Sequence, residues 1–348
     1  MTKKQFLMGN RIIVEAALAA GAEMLTGYPI TPTTEVLEEW AREADKNSLV
    51  FLQTEDEMAA GFVALGGVLS GKKAFTVTAG PGNVLMQDPL GMAEAMRIPL
   101  VVIIGQRGGP STGTVIYSQQ EVTLTIHGAH GEGHRIVYSP SSLQELYDYT
   151  IEAFNSAWKY RFPTFVLTDG YLEKTKGGVV LGKPKNLAKA SSFFQKGKVV
   201  NLRNCYSLEE EIFEDIMTRE RDFQKVAPKI IKYEISGESK PEILIFAHGI
   251  VAAASKLAID ILKVQDKLKI GLFRPITLSP FPEKEAKKIA QEAKKILVIE
   301  SSLGQFESLV KKALYGLKIP ITSYLRPALG ITPEEIVDEV HRQIITNK

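Results

Sequence analysis

Residues 73–106, KAFTVTAGPGNVLMQDPLGMAEAMRIPLVVIIGQ, decide the fold class of this chain. The stretch begins with the β-branched run KAFTVTAG, passes through the helix-like run VLMQDPLGMAEAM and ends in the apolar run PLVVIIGQ. Short runs rich in β-branched residues predict buried strands, whereas the longer middle run predicts a helix. A strand, a helix and a second strand in this order predict two parallel strands with the helix packed on them, and hence an α/β fold.

The chain is predicted to contain two such units. At 348 residues it is longer than one hydrophobic core usually supports. The alternation fills residues 1–182, gives way to a Lys- and Glu-rich stretch with a charged helix, and resumes after Pro241 with EILIFAHG, VAAASKLAIDILKV and KIGLFRP. We therefore expect a first α/β domain over residues 1–182, a linker over 183–239 and a second α/β domain over 240–348.

The composition is that of a folded globular protein. Hydrophobic residues make up 45% and charged residues 24% of the chain, and the formal net charge is only +2. This charge is too small to attract nucleic acid or an anionic membrane. The opening MTKKQFLMGNR lacks the apolar core of a secretory signal, and no apolar run is long enough to span a membrane. We expect a cytoplasmic protein that binds neither nucleic acid nor membrane.

A single cysteine, Cys205, limits the redox chemistry of the chain. One cysteine forms no internal disulfide and cannot by itself hold a cysteine-ligated cluster or zinc ion. Any electron carrier must therefore belong to a partner. Cys205 itself is expected to be a small, buried thiol.

The corner TGYPITPTTE, residues 26–35, is the first candidate site. Tyr28 and Pro29 end a strand-like run, and Thr31 followed by Pro32 predicts a helix N-cap with proline at the first helical position. Such corners lie at the carboxyl ends of parallel strands, where ligands bind. The free N–H groups and the Thr31 hydroxyl suit a carboxylate or phosphate. The alternative is a well-capped turn without a ligand.

Three acids, Glu55, Asp56 and Glu57, precede the helix MAAGFVALGG, which is small and apolar on every face. A helix without a polar face is buried, so an acid at its start is expected to be partly desolvated and suited to proton chemistry. The alternative is that these acids only complement the helix dipole.

The loop TAGPGNVLM places Gly80 and Gly82 between a strand and a helix. This layout is similar to a dinucleotide fingerprint, but Leu85 stands where the third glycine belongs. A tight turn is the alternative. The later run TDG, residues 168–170, lacks the full glycine-aspartate-glycine motif that holds magnesium and diphosphate in thiamine enzymes, so no metal is expected in this chain.

The loop QRGGPSTGT places Arg107 at the carboxyl end of an apolar strand, where a guanidinium can bind a carboxylate through two N–H groups. The alternative is a surface arginine on a flexible loop. The glycine-rich spacing of HGAHGEGH does not fit a metal site. The remaining candidates for a ligand pocket are Ser111, Thr112, His127 and His130.

The order of these motifs resembles the alpha subunit of the 2-oxoacid:ferredoxin oxidoreductases. The likeness rests on GYPITPTTE, an acid before MAAGFVALGG, TAGPGNVLM, QRGGPSTG and HGEGHRIVYSPSS, and it covers residues 8–175. The second domain resembles the transketolase C-terminal-like domain of the same subunit. The resemblance implies a thiamine diphosphate-dependent enzyme of the 2-oxoglutarate type, in which residues 1–182 form the pyrimidine-binding domain around a parallel sheet.

The resemblance also implies the partners and the reaction. A beta subunit would supply Mg²⁺, the diphosphate site and a [4Fe–4S] cluster, and gamma and ferredoxin-like delta subunits would complete the assembly. The reaction converts a 2-oxoacid and coenzyme A to acyl-CoA and carbon dioxide and reduces ferredoxin, and its reverse is a reductive carboxylation. 2-Oxoglutarate is favoured, with pyruvate and branched-chain 2-oxoacids as alternatives.

Within this resemblance each candidate residue has a role. Glu57 would hydrogen-bond the pyrimidine ring and promote its imino tautomer, and Thr31 and Arg107 would bind the substrate carboxylate. The expected cofactor contacts are Tyr28, Pro29, Glu57, Gly80 and Gly82.

Two departures leave the substrate open. TVIYSQQEVT replaces the proline-threonine and aspartate-leucine pairs of relatives, and HGEGH replaces their usual glycine-aspartate ending. Two other functions also remain: a non-catalytic nucleotide-binding α/β protein, and the pyrimidine-binding half of an NAD-linked 2-oxoacid dehydrogenase complex.

Overall fold

The computed structural model describes residues 3–194 and 202–345. The strands are β1 (Lys3–Met8), β2 (Met24–Gly27), β3 (Val50–Gln53), β4 (Ala74–Thr78), β5 (Val101–Gln106), β6 (Ile136–Tyr138), β7 (Thr164–Asp169), β8 (Lys176–Leu181), β9 (Tyr233–Gly237), β10 (Ile243–Phe246), β11 (Ile270–Pro275), β12 (Thr277–Ser279), β13 (Lys295–Glu300) and β14 (Ile321–Leu325). The helices are α1 (Gly9–Ala19), α2 (Thr34–Asn47), α3 (Glu57–Leu69), α4 (Pro81–Leu85), α5 (Gln87–Ala95), α6 (Val122–His127), α7 (Leu143–Tyr160), α8 (Gly170–Lys174), α9 (Glu209–Ile230), α10 (Gly249–Gln265), α11 (Glu283–Ala290), α12 (Gln305–Ala313) and α13 (Pro333–Ile345).

The first half of the chain builds a seven-stranded sheet in the order β12-β6-β7-β5-β4-β2-β3. Its strands are parallel except β12, which pairs antiparallel with β6. The residues of β4, β5 and β7 are buried, as both faces of a sheet covered by helices require. The α/β fold and the parallel sheet predicted from residues 73–106 are confirmed.

The second half builds a five-stranded sheet in the order β14-β13-β10-β11-β9. It is parallel except for β9, which pairs antiparallel with β11. Strand β9 lies inside the stretch expected to be a linker, and β12 of the second half joins the first sheet. The domain boundaries therefore stay a prediction, and one strand of the second half, β12, belongs to the first sheet.

The charged helix of the linker is α9. Its apolar face contributes Phe223 and Ile230 to the core on one side of the first sheet, and Arg97 forms an ion pair with Asp222 at 2.6 Å. Helix α9 thus packs on the first sheet. Residues 195–201 of the linker lie outside the described residues.

The two sheets share a hydrophobic core. One buried cluster contains Val102 and Phe165 from the first sheet together with Leu244 and Phe273 from the second. The expectation of a buried Cys205 is wrong, because the residue lies in the exposed stretch ahead of α9. No helix among the described residues is long and apolar enough to cross a membrane.

Candidate active site

The candidate residues gather at the carboxyl edge of the first sheet. Strands β5, β4, β2 and β3 are neighbours there, and each is followed by a loop that carries a sequence-predicted residue. The β2–α2 loop carries Thr31, α3 begins after β3 with Glu57, the β4–α4 loop carries Gly80, and the loop after β5 begins with Arg107. Parallel strands place these four loops side by side.

Glu57 is the first residue of α3, and its side chain is only 3% exposed. The preceding Asp56 is the N-cap and accepts a hydrogen bond of 2.7 Å from the Ala59 amide. Burial raises the pKa of Glu57, and the negative charge of Asp56 raises it further, although the main-chain N–H and Arg107 act against this shift. Glu57 is therefore a carboxyl group that takes up a proton more readily than an exposed one.

The side of α3 away from the sheet is not buried. Met58 and Phe62 lie four residues apart on the helix and are 41% and 39% exposed. The expectation that α3 is buried on every face is therefore wrong for this chain, because no described element covers this stripe.

Gly82 makes room for the Glu57 carboxyl group. A Cβ atom at Gly82 would lie 2.2 Å from Glu57 Oε1 and 2.2 Å from Thr78 Oγ1, far inside contact distance. The Thr78 hydroxyl is buried and has no hydrogen-bond partner among the described residues. This part of the site is a small polar recess, closed on one side by the Gly82 main chain.

Arg107 crosses the edge of the sheet toward the β2–α2 corner. Its side chain is 5% exposed, and its Nη1 donates a hydrogen bond of 3.0 Å to the Thr31 carbonyl oxygen. Gly80 has φ of 52°, and a Cβ there would lie 2.7 Å from Arg107 Nε. Arg107 Nε is buried and finds no partner among the described residues.

The predicted N-cap at Thr31 is wrong. Helix α2 begins at Thr34 with Thr33 as its N-cap, and the Thr31–Pro32 peptide is cis. The Thr33 amide and hydroxyl both donate to the Ile30 carbonyl oxygen at 2.9 Å. This extra turn displaces the helix start, so Thr31 contributes its carbonyl group to Arg107 instead of capping the helix.

Glu121 is a site residue that the sequence did not reveal. It is 5% exposed and accepts three hydrogen bonds: 2.9 Å from the Gly80 amide, 3.1 Å from Asn83 Nδ2 and 3.0 Å from the Arg107 amide. Burial raises the pKa of Glu121, and these three donors together with the positive charge of Arg107 oppose the shift. An isolated acid in SQQEVT has no local signal for this role, because its partners come from other loops.

A cleft of about 640 Å³ opens beside these residues. Its lining includes Gly80, Val84, Leu85, Arg107, Ser111 and Glu121. The lining is therefore apolar on the α4 side and polar on the Arg107 side.

Ser111 is the only one of the four loop candidates that lines this cleft. Thr112 and His130 are exposed. His127 borders a separate cavity of about 530 Å³ with Lys312, because α6 carries its last residue toward the second domain. Thr112, His127 and His130 do not line this cleft, so their part in the ligand pocket stays a prediction. Tyr28, which is 40% exposed, and Pro29 lie at the corner but outside the cleft lining.

Comparison with known proteins assigns both halves of the chain. Residues 15–217 match the family described as "Pyruvate flavodoxin/ferredoxin oxidoreductase, thiamine diP-bdg", and residues 241–336 match "Pyruvate:ferredoxin oxidoreductase core domain II". The chain is 35% identical to the 2-oxoglutarate synthase subunit KorA of Methanocaldococcus jannaschii, over 89% of this chain and 93% of that one. It is 30% identical to the ketoisovalerate oxidoreductase subunit VorB of Methanothermobacter marburgensis, over 89% of each chain.

A solved relative has the same fold over nearly the whole chain. The 2-oxoglutarate:ferredoxin oxidoreductase from Magnetococcus marinus, with 2-oxoglutarate, coenzyme A and succinyl-CoA bound, matches with a TM-score of 0.86 and 27% identity over 98% of this chain. The present chain spans 65% of the length of that relative. A split-gene transketolase matches with a TM-score of 0.62 and 13% identity, which shows a common fold. The chain therefore belongs to the 2-oxoacid:ferredoxin oxidoreductase family, as an alpha-type subunit with a thiamine diphosphate-binding domain.

Proposed function

We propose that this chain is the pyrimidine-binding subunit of a cytoplasmic, coenzyme A-dependent 2-oxoacid:ferredoxin oxidoreductase. The observation that carries the proposal is the juxtaposition of a buried Glu57 with the Arg107–Thr31 pair at one edge of the sheet. Glu57 suits proton exchange, and Arg107 suits the binding of a carboxylate. A nucleotide-binding protein has no need of this combination.

Glu57 is the proposed contact for the aminopyrimidine ring. The Glu57 carboxyl group has a raised pKa and lies beside an unpartnered hydroxyl, Thr78 Oγ1, against the Gly82 main chain. When bound, thiamine diphosphate supplies the nucleophilic carbon that attacks the 2-oxoacid. In this arrangement Glu57 holds and returns a proton at a ring nitrogen, and Tyr28, Pro29, Gly80 and Gly82 are the further proposed contacts.

Arg107 is the proposed binding residue for the substrate carboxylate. Its Nη1 is held by the Thr31 carbonyl group, whereas its buried Nε lacks an acceptor. A buried N–H without a partner is costly unless a ligand supplies the acceptor. A 2-oxoacid carboxylate in the cleft would do so, close to Thr31.

2-Oxoglutarate is the proposed substrate, because the curated relative with 35% identity is a 2-oxoglutarate synthase subunit and the solved relative binds 2-oxoglutarate. A branched-chain 2-oxoacid is the second candidate. It is supported by Val84, Leu85 and Leu124 in the cleft lining and by the similarity to a ketoisovalerate oxidoreductase subunit. Pyruvate is the third candidate substrate.

We propose that a beta subunit holds Mg²⁺, the cofactor diphosphate and a [4Fe–4S] cluster, and that gamma and ferredoxin-like delta subunits pass electrons to ferredoxin. The described residues contain no group of three or more His, Cys, Asp or Glu that could hold a metal ion. The beta subunit is proposed to cover the exposed apolar side chains around Glu57, which are Leu52, Met58, Phe62, Val84 and Leu85.

The test is reconstitution followed by a substrate panel. The chain should be inactive alone and, with its beta partner, should reduce a viologen dye only when a 2-oxoacid and coenzyme A are present. The highest kcat/KM is expected for 2-oxoglutarate. A preference for ketoisovalerate would select the second candidate. Tight nucleotide binding by the chain, without 2-oxoacid turnover by the complex, would contradict the proposed function.

A further inference from the structure

The second sheet has a ligand crevice that its own chain fills. Strand β10 lies between β13 and β11, and the helices that follow β10 and β13 pack on opposite faces of the sheet. The point where the strand order reverses, between the carboxyl ends of β10 and β13, is where open α/β sheets bind ligands. In this chain His248 follows β10 at that point, and Ser301 follows β13.

Gln119, from the first half of the chain, occupies this crevice. Its Nε2 donates to the His248 carbonyl oxygen at 3.0 Å, and its Oε1 accepts from the Ser301 amide at 3.0 Å. The Gln119 amide also donates to the Ser301 carbonyl oxygen at 3.1 Å. With its side chain 1% exposed, Gln119 satisfies the main-chain groups that a ligand would otherwise use on both strands.

The residues that follow Gln119 are hydrogen-bonded to helix α12. Gln305 Nε2 donates to the Gln120 carbonyl oxygen at 2.8 Å, and Gln305 Oε1 accepts from the Thr123 amide at 3.0 Å. Between these two anchor points lies Glu121, whose carboxylate holds the Gly80 and Arg107 amides. Residues 118–123 therefore connect the second domain directly to the candidate active site.

We propose that the second domain positions the substrate-binding arginine through residues 118–121, with Gln119 as the positioning residue. The role of Arg107 in this statement rests on the proposed function, whereas the hydrogen-bond connection does not. Arg107 is held at its main chain by Glu121 and at its guanidinium by Thr31. A shift of residues 118–121 would move Glu121, which holds the Arg107 main chain, relative to Thr31, which holds its guanidinium. The guanidinium would then be misplaced for binding a carboxylate.

The test compares Gln119→Met with Gln144→Met in the assembled complex. Methionine keeps the length of glutamine and removes its hydrogen bonds. Gln144 is a matched control, because its side-chain amide makes the same two-way contact with the main chain of Val180, at 3.3 Å and 2.8 Å, outside the cleft. We expect Gln119→Met to raise the KM for the 2-oxoacid about tenfold, with a kcat change below about threefold.

Hydrogen exchange supplies a readout that does not need turnover. In the full chain within the complex, the Gly80 and Arg107 amides should exchange faster in Gln119→Met than in the wild type, because Glu121 holds both amides. They should exchange at the wild-type rate in Gln144→Met.

Failure of this proposal and failure of the proposed function give different results. Unchanged exchange at Gly80 and Arg107 in Gln119→Met, or an equal change in Gln144→Met, overturns the proposal, as does an unchanged KM in an active complex. A lower melting temperature in Gln119→Met, without faster exchange at Gly80 and Arg107 and without a raised KM, would mean that Gln119 only stabilises the fold. That result also overturns the proposal. If the wild-type complex turns over no 2-oxoacid, the proposed function fails by itself, and the exchange comparison still decides whether the second domain holds the Arg107 main chain.

Discussion

At the residue scale, the site depends on acids that are buried for different reasons. Glu57 lies in a recess beside an unpartnered hydroxyl, and burial raises its pKa. Glu121 is also buried, but three N–H donors surround it, so it serves as an anchor for main-chain groups. Two carboxyl groups in one site thus have different uses, because Glu57 has one main-chain N–H donor and Glu121 is surrounded by three donors.

Glu57→Gln should abolish most of the activity while leaving the fold intact. Glutamine keeps the shape of the side chain but exchanges no proton, so 2-oxoacid-dependent dye reduction by the complex should fall on the order of 10²–10⁴-fold. The control is Glu55→Gln, an exposed acid two residues earlier, which should retain wild-type activity. Full activity in Glu57→Gln would contradict the proposed proton exchange.

Gly82→Ala should impair the same step without removing the carboxyl group. The added Cβ would lie 2.2 Å from Glu57 Oε1 and must push it aside, so kcat/KM should fall on the order of 10²-fold. Gly182→Ala is the control, because a Cβ there meets nothing within 4 Å. Steady-state kinetics of the two variants decide the prediction, and equal kinetics would show that the recess tolerates a side chain.

At the element scale, α3 joins two functions. Its N-terminus presents Glu57, and its inner face packs Ala64, Leu65 and Val68 into the core. Its outer stripe of Met58 and Phe62 is left exposed. A helix that is apolar all round is normally buried, and the exposed stripe beside the catalytic candidate is the feature that argues for a partner at this place.

Phe62→Ser should weaken the complex and spare the isolated chain. Because Phe62 is 39% exposed in the chain alone, the free energy of unfolding should fall by only about 1–2 kcal/mol and the chain should stay folded. Loss of a buried aromatic contact in the complex should raise the dissociation constant for the beta subunit about tenfold or more, as measured by calorimetry. Val264→Ser, on an 81% exposed residue of α10, is the control. An unchanged affinity in Phe62→Ser would place the partner elsewhere.

At the scale of the whole molecule, buried carboxyl groups make stability depend on pH. Asp169 caps α8 by accepting a hydrogen bond from the Leu172 amide at 3.0 Å, and it is 2% exposed. Burial raises its pKa to about 6, against the opposing hydrogen bonds from the Leu172 and Tyr171 main chain. Burial also raises the pKa of the nearby Glu173, whose two carboxyl oxygens have no partner among the described residues.

The sign of the Asp169 contribution follows from proton binding. Between the ordinary pKa of 3.8 and about 6, the folded state binds more protons than the unfolded state, so this contribution falls as pH rises through that window. Asp169→Asn keeps the cap and removes the titration. The variant should gain stability relative to the wild type by at most roughly 3 kcal/mol between pH 4 and pH 7.

Denaturant unfolding at a series of pH values checks this prediction. The exposed Asp45→Asn serves as the control, and its stability curve should run parallel to that of the wild type. A parallel curve for Asp169→Asn would show that Asp169 does not titrate in the window.

The sequence by itself determined the elements and the approximate site. Strand and helix periods are local properties, so residues 73–106 predicted a parallel α/β unit, and the motifs carrying Glu57 and Arg107 marked the edge where both lie. Local rules failed where a nearby turn competed with them, as at Thr31, where two hydrogen bonds to Ile30 moved the helix start to Thr34.

Only the tertiary structure decided which distant residues support that edge. Gln119 and Ser301 are 182 positions apart and exchange hydrogen bonds, and Glu121 accepts hydrogen bonds from two separate segments, Gly80 with Asn83 and Arg107. The tertiary structure also places His127 and His130 outside the cleft. Contacts of this kind depend on the path of the whole backbone, and no periodicity or spacing within one segment encodes them.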